Sequence, residues 1–281
     1  MHMYADDTQL YDSFGKGNCA AVLHNLEDCL ESVREWMVTN HLKLNDAKTE
    51  FMVVGNARQR HPMSIKIGSA IVAEKTSAQN IGVILDNSLT LSEHINSVTH
   101  SCYQQLRKIG QSRAYLTEEA TSSLVRCLIL SKLDYANALF YGLPDYLLNK
   151  LQTVQNCAAK LVKRKKKYDH VTPLLRDLHW LPVQYRIIFK INMMTYKALH
   201  NKAPDYIKEM IIKYNPNRNL RSTSHNLLTE KRSKLKRSGD RAFSVSAPKL
   251  WNVLPETIRL SKTMDIFKTK LKTHLYNQAY Q

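Results

Sequence analysis

The chain has 281 residues, 43% of them hydrophobic and 23% charged, an ordinary globular composition that excludes a disordered or collagen-like polymer. No apolar stretch approaches the roughly 20 residues of a membrane span, and no apolar run follows Met1 as a signal peptide requires, so a soluble, intracellular protein with no membrane partner is expected. The net charge of +17 is uneven: residues 1–100 carry 8 Lys/Arg against 12 Asp/Glu, a net of −4, whereas residues 101–281 carry 33 against 12, a net of +21.

An excess of that size on one half favours a polyanion, by steering and by counterion release, although any single lysine is better explained as a solvated helix residue. The five cysteines, Cys19, Cys29, Cys102, Cys127 and Cys157, are scattered without a C-x-x-C pair, which points to reduced thiols rather than zinc or a disulfide framework.

Taken in chain order, the tight turn YADD comes first, then a Gly15-Lys16-Gly17 loop. Leu23, Leu26, Leu30, Val33 and Met37 come next at helical spacing, which predicts a helix over 20–39 with Glu27, Asp28, Glu31 and Arg34 facing water. LKLNDAKTEFMVVG reads as a turn between two short strands. SIKIGSAIVAE alternates at period two around Gly68-Ser69, a tight hairpin, and NIGVILD is a further strand. From Leu91 the period changes to helical, with Ser92 as an N-cap and helices expected over 92–109, 117–140, 146–166, 183–200 and 262–277. Residues 214–241 are polar and basic without a period and predict an extended arm. The fold class is therefore α+β: a small antiparallel sheet region with one packed helix, then a mainly helical part and a basic C-terminal region.

Asp6 and Asp7 at a tight turn are hard oxygen ligands of the kind that hold magnesium, which can clamp a transferring phosphoryl group and stabilise departing pyrophosphate. Taken alone, YADD is better read as an ordinary polar turn.

The order of the segments downstream of the turn gives it its meaning. Tyr4-Ala5-Asp6-Asp7 is the Y-x-D-D signature of reverse transcriptases. Trp36, Asn40, Leu42-Lys43-Leu44-Asn45 and Lys48-Thr49-Glu50-Phe51-Met52 resemble the next palm block of non-LTR retrotransposon enzymes, and IKIGSAIVAE with Asn80-Ile81-Gly82-Val83-Ile84-Leu85-Asp86 resembles the primer grip. LSEHINSVTHSCYQQLRKIG, ILSKLDYANALFYGLP and GDRAFSVSAPKLWNVLP are similar to the thumb and C-terminal region of jockey-like elements. The resemblance covers essentially the whole chain. It implies boundaries at 1–60 for the end of the palm, 61–91 for the primer grip, 92–205 for a helical thumb and 206–281 for a basic region with a terminal helix.

Carried over by position, the resemblance makes Asp6 a metal-ligating carboxylate with Asp7 as its partner, and puts Tyr4 beneath the primer end or incoming nucleotide. It makes Lys48 a general acid for pyrophosphate, or else a lysine pairing with Glu50 or Asp46, and Gly82 the primer-grip glycine that lets backbone approach nucleic acid. Asn80-Ile81 stands where the family has an aromatic followed by leucine. Trp36, Leu42, Leu44 and Val83 read as core. Fingers and an upstream palm aspartate would precede Tyr4 in such an enzyme, so the frame is expected to begin inside a domain, with exposed apolar edges, and not to polymerise alone.

In the basic half, Lys163, Arg164, Lys165, Lys166 and Lys167, with Arg218, Arg221, Lys231, Arg232, Lys234, Lys236 and Arg237, are expected to contact the phosphates of an RNA template/DNA primer duplex irrespective of sequence. The same runs can act as nuclear-localisation signals, which predicts a nuclear protein. Two other readings stand beside this one: a host-retained helical interaction or scaffold protein, and a genomic remnant without selected function. The sequence does not set the oligomeric state.

Overall fold

A computed structural model describes residues 2–4, 7–15, 17–55, 62–215, 226–235 and 238–281, with the backbone but not the side chain of Asp46. The chain is mixed α+β, as expected, and divides into two compact units, Met1–His94 and Ile95–Gln281.

The first unit contains three two-stranded antiparallel hairpins and one long helix among its described residues. β1 (His2–Tyr4) pairs with β2 (Asp7–Gln9), β3 (Ser64–Ile67) with β4 (Ala70–Ala73), and β5 (Ser77–Asn80) with β6 (Val83–Asp86). The β3–β4 turn is Gly68-Ser69, as the alternation predicts, with Gly68 at φ 57° in the position where a type II′ hairpin places its glycine. NIGVILD is not one strand. Ile81 (φ 44°) and Gly82 (φ 75°) both take positive φ and form a two-residue turn, so the segment folds back as β5–β6.

α1 (Cys19–Thr39) lies on β3, with Leu23, Leu26, Leu30, Val33 and Met37 half-buried on one face. Glu27 does not simply face water, because its carboxylate accepts the Lys66 N–H at 2.8 Å. Two expected core residues are corrected: Trp36 is 59% exposed and Leu42 is 53% exposed, while Val83 is buried. The segment after Leu42 forms a single 3-10 turn, Asp46–Lys48, and an isolated bridge from Phe51 to Glu74 in place of two strands.

The second unit is helical. α2 (Ser92–Ser112) follows the positive-φ residues Leu89 and Leu91. The expected helix over 117–140 is broken into pieces: α3 (Glu118–Val125), a π turn (Arg126–Leu130), α4 (Ser131–Asp134) and a 3-10 turn (Asn137–Phe140). The break falls at Ala136, φ 51°, where Asp134 is held by Arg186 and by the Asn137 amide.

α5 (Asp145–Val162) buries Leu147, Leu151, Val154, Ala158 and Val162, a spacing of three and four that lays one apolar stripe against its neighbours. α6 (Thr172–Asp177) and α7 (Val183–Leu199) follow, then the short α8 (Asp205–Lys208), α9 (Phe243–Asn252), α10 (Glu256–Arg259) and α11 (Met264–Tyr280). Their shared core gathers Leu181, Tyr196, Leu228, Trp251, Leu254, Ile258, Phe267, Leu271 and Leu275. Tyr196 stacks on Phe267 with ring centroids 4.3 Å apart and donates its hydroxyl to the Ser261 carbonyl at 3.0 Å. Leu228 comes from the segment expected to be an extended arm. That segment is pinned where it is described: Tyr214 N–H meets Leu227 O, Thr229 N–H meets Ile212 O, and the Asn252 side chain takes both the N–H and the C=O of Leu228.

Candidate functional site

The first and last residues of the Y-x-D-D segment face one another, with Tyr4 directly opposite Asp7 at the end of the β1–β2 pair and both side chains exposed. Asp6 lies outside the described residues. The Asn80 amide donates to Gln9 Oε1 at 3.2 Å, which ties the residue preceding the Ile81-Gly82 turn to that strand pair. The Lys48 segment joins the same neighbourhood: Phe51 O accepts the Lys75 N–H, and Glu50 binds Lys75 Nζ and the Gln79 N–H, each at 2.9 Å. Lys48 itself is exposed, and Glu50 takes Lys75 as its cation. Hydrogen bonds from Lys75 and then Gln79 hold the Glu50 carboxyl below its usual range.

A magnesium site needs several oxygen donors converging on one point. Among the described residues no group of three or more His, Cys, Asp or Glu side chains gathers in a way suited to a metal, and Asp7 is the one described carboxylate at the turn. This donor set among the described residues does not amount to a magnesium site.

The basic run after α5 divides sharply. Lys163 forms ion pairs with Glu118, at 2.5 Å, and with Asp177, and these two partners raise its pKa, Asp177 more strongly. Arg164 reaches back to the carbonyls of Leu116, at 3.1 Å, and Arg113, at 3.4 Å. Beneath them Arg113, nearly buried, donates to Leu161 O at 2.8 Å and to Val162 O and Leu116 O at 2.7 Å. It thereby satisfies the last carbonyl of α5, Val162 O, and adds a charged donor to Leu161 O, which also accepts the Arg164 backbone N–H at 3.4 Å. Burial, with the neighbouring Arg164 charge, pulls the Arg113 pKa below the usual arginine value.

Lys165, Lys166 and Lys167 are exposed and form no ion pair among the described residues. Lys167 Nζ sits 5.8 Å from the centre of the Tyr168 ring. Lys231, Arg232 and Lys234 are also exposed, while Arg218, Arg221, Lys236 and Arg237 lie outside the described residues. Between α2 and α5 there is an open groove of about 420 Å³, lined by Asn96, Thr99, His100, Tyr103, Lys150 and Thr153. The sequence reading missed Arg113, Tyr115 and Tyr168. Tyr168 had a signal, since it directly follows the basic run.

The chain is similar in sequence to RNA-directed DNA polymerases of jockey-like and other non-LTR retrotransposons. It is 26% identical over 165 residues to the RNA-directed DNA polymerase from mobile element jockey of Drosophila funebris, a match covering 57% of this chain and 17% of that protein. It is 25% identical over 192 residues to the probable RNA-directed DNA polymerase from transposon BS of Drosophila melanogaster, covering 66% and 20%. A third relative, the probable enzyme from transposon X-element of the same fly, is 22% identical over 156 residues. The matched part is thus about a fifth of the length of these curated relatives. No family model and no solved structure matches the chain.

Proposed function

We propose that the chain is a piece of a non-LTR retrotransposon reverse transcriptase that binds nucleic acid through the backbone, irrespective of sequence, and does not polymerise on its own. The observation that carries the reading is the exposed run Lys165–Lys167, without ion pairs among the described residues, on the unit that holds all of the excess positive charge. In the parent enzyme the Asp6–Asp7 turn would contribute to a magnesium site completed by other carboxylates, with Tyr4 and Gly82 near the primer end and Lys48 as a proton donor to pyrophosphate. The RNA template/DNA primer duplex is the expected partner, and a nuclear location goes with it.

The test is primer extension on an RNA template with magnesium, using the intact chain beside an Asp6→Ala/Asp7→Ala version. No extension, with template retained in a strongly salt-dependent way, supports the proposal. Extension that disappears in the double variant overturns the claim of inactivity.

A scaffold role has one observation in its favour: Leu124, Leu128 and Leu139 are exposed on the helical segment 118–140. Failure to bind nucleic acid at physiological salt, with a stable complex to a protein partner, would favour that reading.

A further inference from the structure

Two tyrosines near the end of α5 are exposed far beyond what an aromatic residue ordinarily shows, each 90%: Tyr115, the last residue of the 3-10 turn Arg113–Tyr115 between α2 and α3, and Tyr168, at the end of the basic run. The two loops adjoin, because Arg164 donates to the carbonyls of Leu116 and Arg113 on either side of Tyr115. Arg113 fixes the arrangement by binding Leu116 O and the last carbonyls of α5 with one guanidinium. Lys165, Lys166 and Lys167 fill the space in sequence between Arg164 and Tyr168, and the Lys167 ammonium lies against the Tyr168 ring.

Leaving two phenol rings in water is unfavourable, and neither packs on another ring among the described residues. Phosphates need only the lysines. Flat, exposed rings interleaved with solvated cations are the arrangement that unpaired bases occupy, since every base offers a face to stack while its phosphate meets an ammonium. A duplex keeps its bases stacked inside and has no use for them.

We propose that Tyr115 and Tyr168, with Arg164 and Lys165–Lys167, form a stacking platform for an unpaired polynucleotide strand, so that this end of the unit prefers single-stranded to duplex nucleic acid. The inference rests on the nucleic-acid-binding reading above and, for this end of the unit, replaces the duplex expected there with an unpaired strand.

The experiment measures the binding of the intact chain to a fluorescent single-stranded oligothymidylate and to a duplex of equal length, for the wild type, Tyr115→Ala/Tyr168→Ala and Tyr115→Phe/Tyr168→Phe. The alanine pair is expected to lose roughly tenfold or more on the single strand, with duplex affinity and salt dependence unchanged, and the phenylalanine pair to keep wild-type affinity because the ring faces remain. Equal losses on both probes, or no loss on the single strand, would overturn the platform alone. A wild-type chain that binds neither probe would overturn the nucleic-acid reading and the platform with it.

Discussion

The backbone N–H of Gln79 donates to the Glu50 carboxylate at 2.9 Å, on the outer edge of β5. Gln79 pairs with Ile84 at a position of the two-residue hairpin where N–H groups point away from the partner strand, and Ile84 likewise sends its N–H outward, to His94 Nδ1 at 3.3 Å. On β3 the outward Lys66 N–H goes to Glu27. The β3–β4 and β5–β6 ladders are thus finished by side chains that take the place of a third strand.

These finishing groups make the first unit sensitive to acid. Burial lowers the pKa of His94, the bonds from Lys75 and Gln79 lower that of Glu50, and Asp86, which burial alone would raise, is brought below its usual value by Thr90, Leu91 and Ser88. All three have folded values below their unfolded ones, so their stabilisation is complete above the unfolded values and is lost as pH falls through the folded ones. The loss begins below the ordinary histidine value of 6.5 and continues below 4.5 for Glu50 and 3.8 for Asp86. Urea denaturation of the intact chain at about pH 7 and about pH 5 should show this, and His94→Phe should reduce the pH dependence across that interval while lowering stability at both, the remainder coming from His274, whose pKa burial also lowers. An unchanged pH slope in the variant would exclude His94 as its source.

Gly82→Ala should destabilise by about 1 kcal/mol or more, because Gly82 sits at φ 75° in a turn that already holds Ile81 at positive φ. Thermal melting would read the change. A neutral substitution would mean that the β5–β6 turn relaxes to another geometry.

Arg113→Ala should cost about 2–3 kcal/mol in chemical denaturation, since three carbonyls at and beside the α5 terminus lose a charged donor. Arg113→Lys should recover less than half of the loss, because an ammonium cannot fork to Leu161, Val162 and Leu116 together.

Lys163 and the three lysines later in the run should separate experimentally. Lys163→Ala should lower stability by about 1 kcal/mol through the Glu118 and Asp177 pairs and leave the salt dependence of nucleic-acid binding intact. Replacing Lys165, Lys166 and Lys167 with alanine should leave stability intact and flatten the slope of log affinity against log salt by about 2–3. The reverse pattern would assign phosphate contact to Lys163.

The long amphipathic helices were legible because their periods are strong: 20–39 becomes Cys19–Thr39, 183–200 becomes Val183–Leu199, and 262–277 becomes Met264–Tyr280. The Gly68 turn was legible for a similar reason, a glycine set in clean alternation. The Ile81-Gly82 turn was hidden because a β-branched residue at positive φ is rare and Ile81 reads as strand. α9 was hidden by Pro248, which the structure nonetheless carries inside the helix. At the site, the strand pair bearing Asp7 was visible in YADD. That Lys163 answers to Glu118, 45 residues earlier, was not, since a basic run looks the same whether or not distant carboxylates neutralise its first member.

Leu228, 2% exposed among Trp251 and its neighbours, acts as a rivet on a chain of charge. Lys231, Arg232 and Lys234 follow it by three, four and six residues, so their backbones can stray no more than about 20 Å from a fixed point. A leash that short keeps them at high local concentration beside the helical body, and a ligand engaging them has few bonds left to freeze. The rivet, more than any one of the lysines, keeps this stretch a surface instead of a tail.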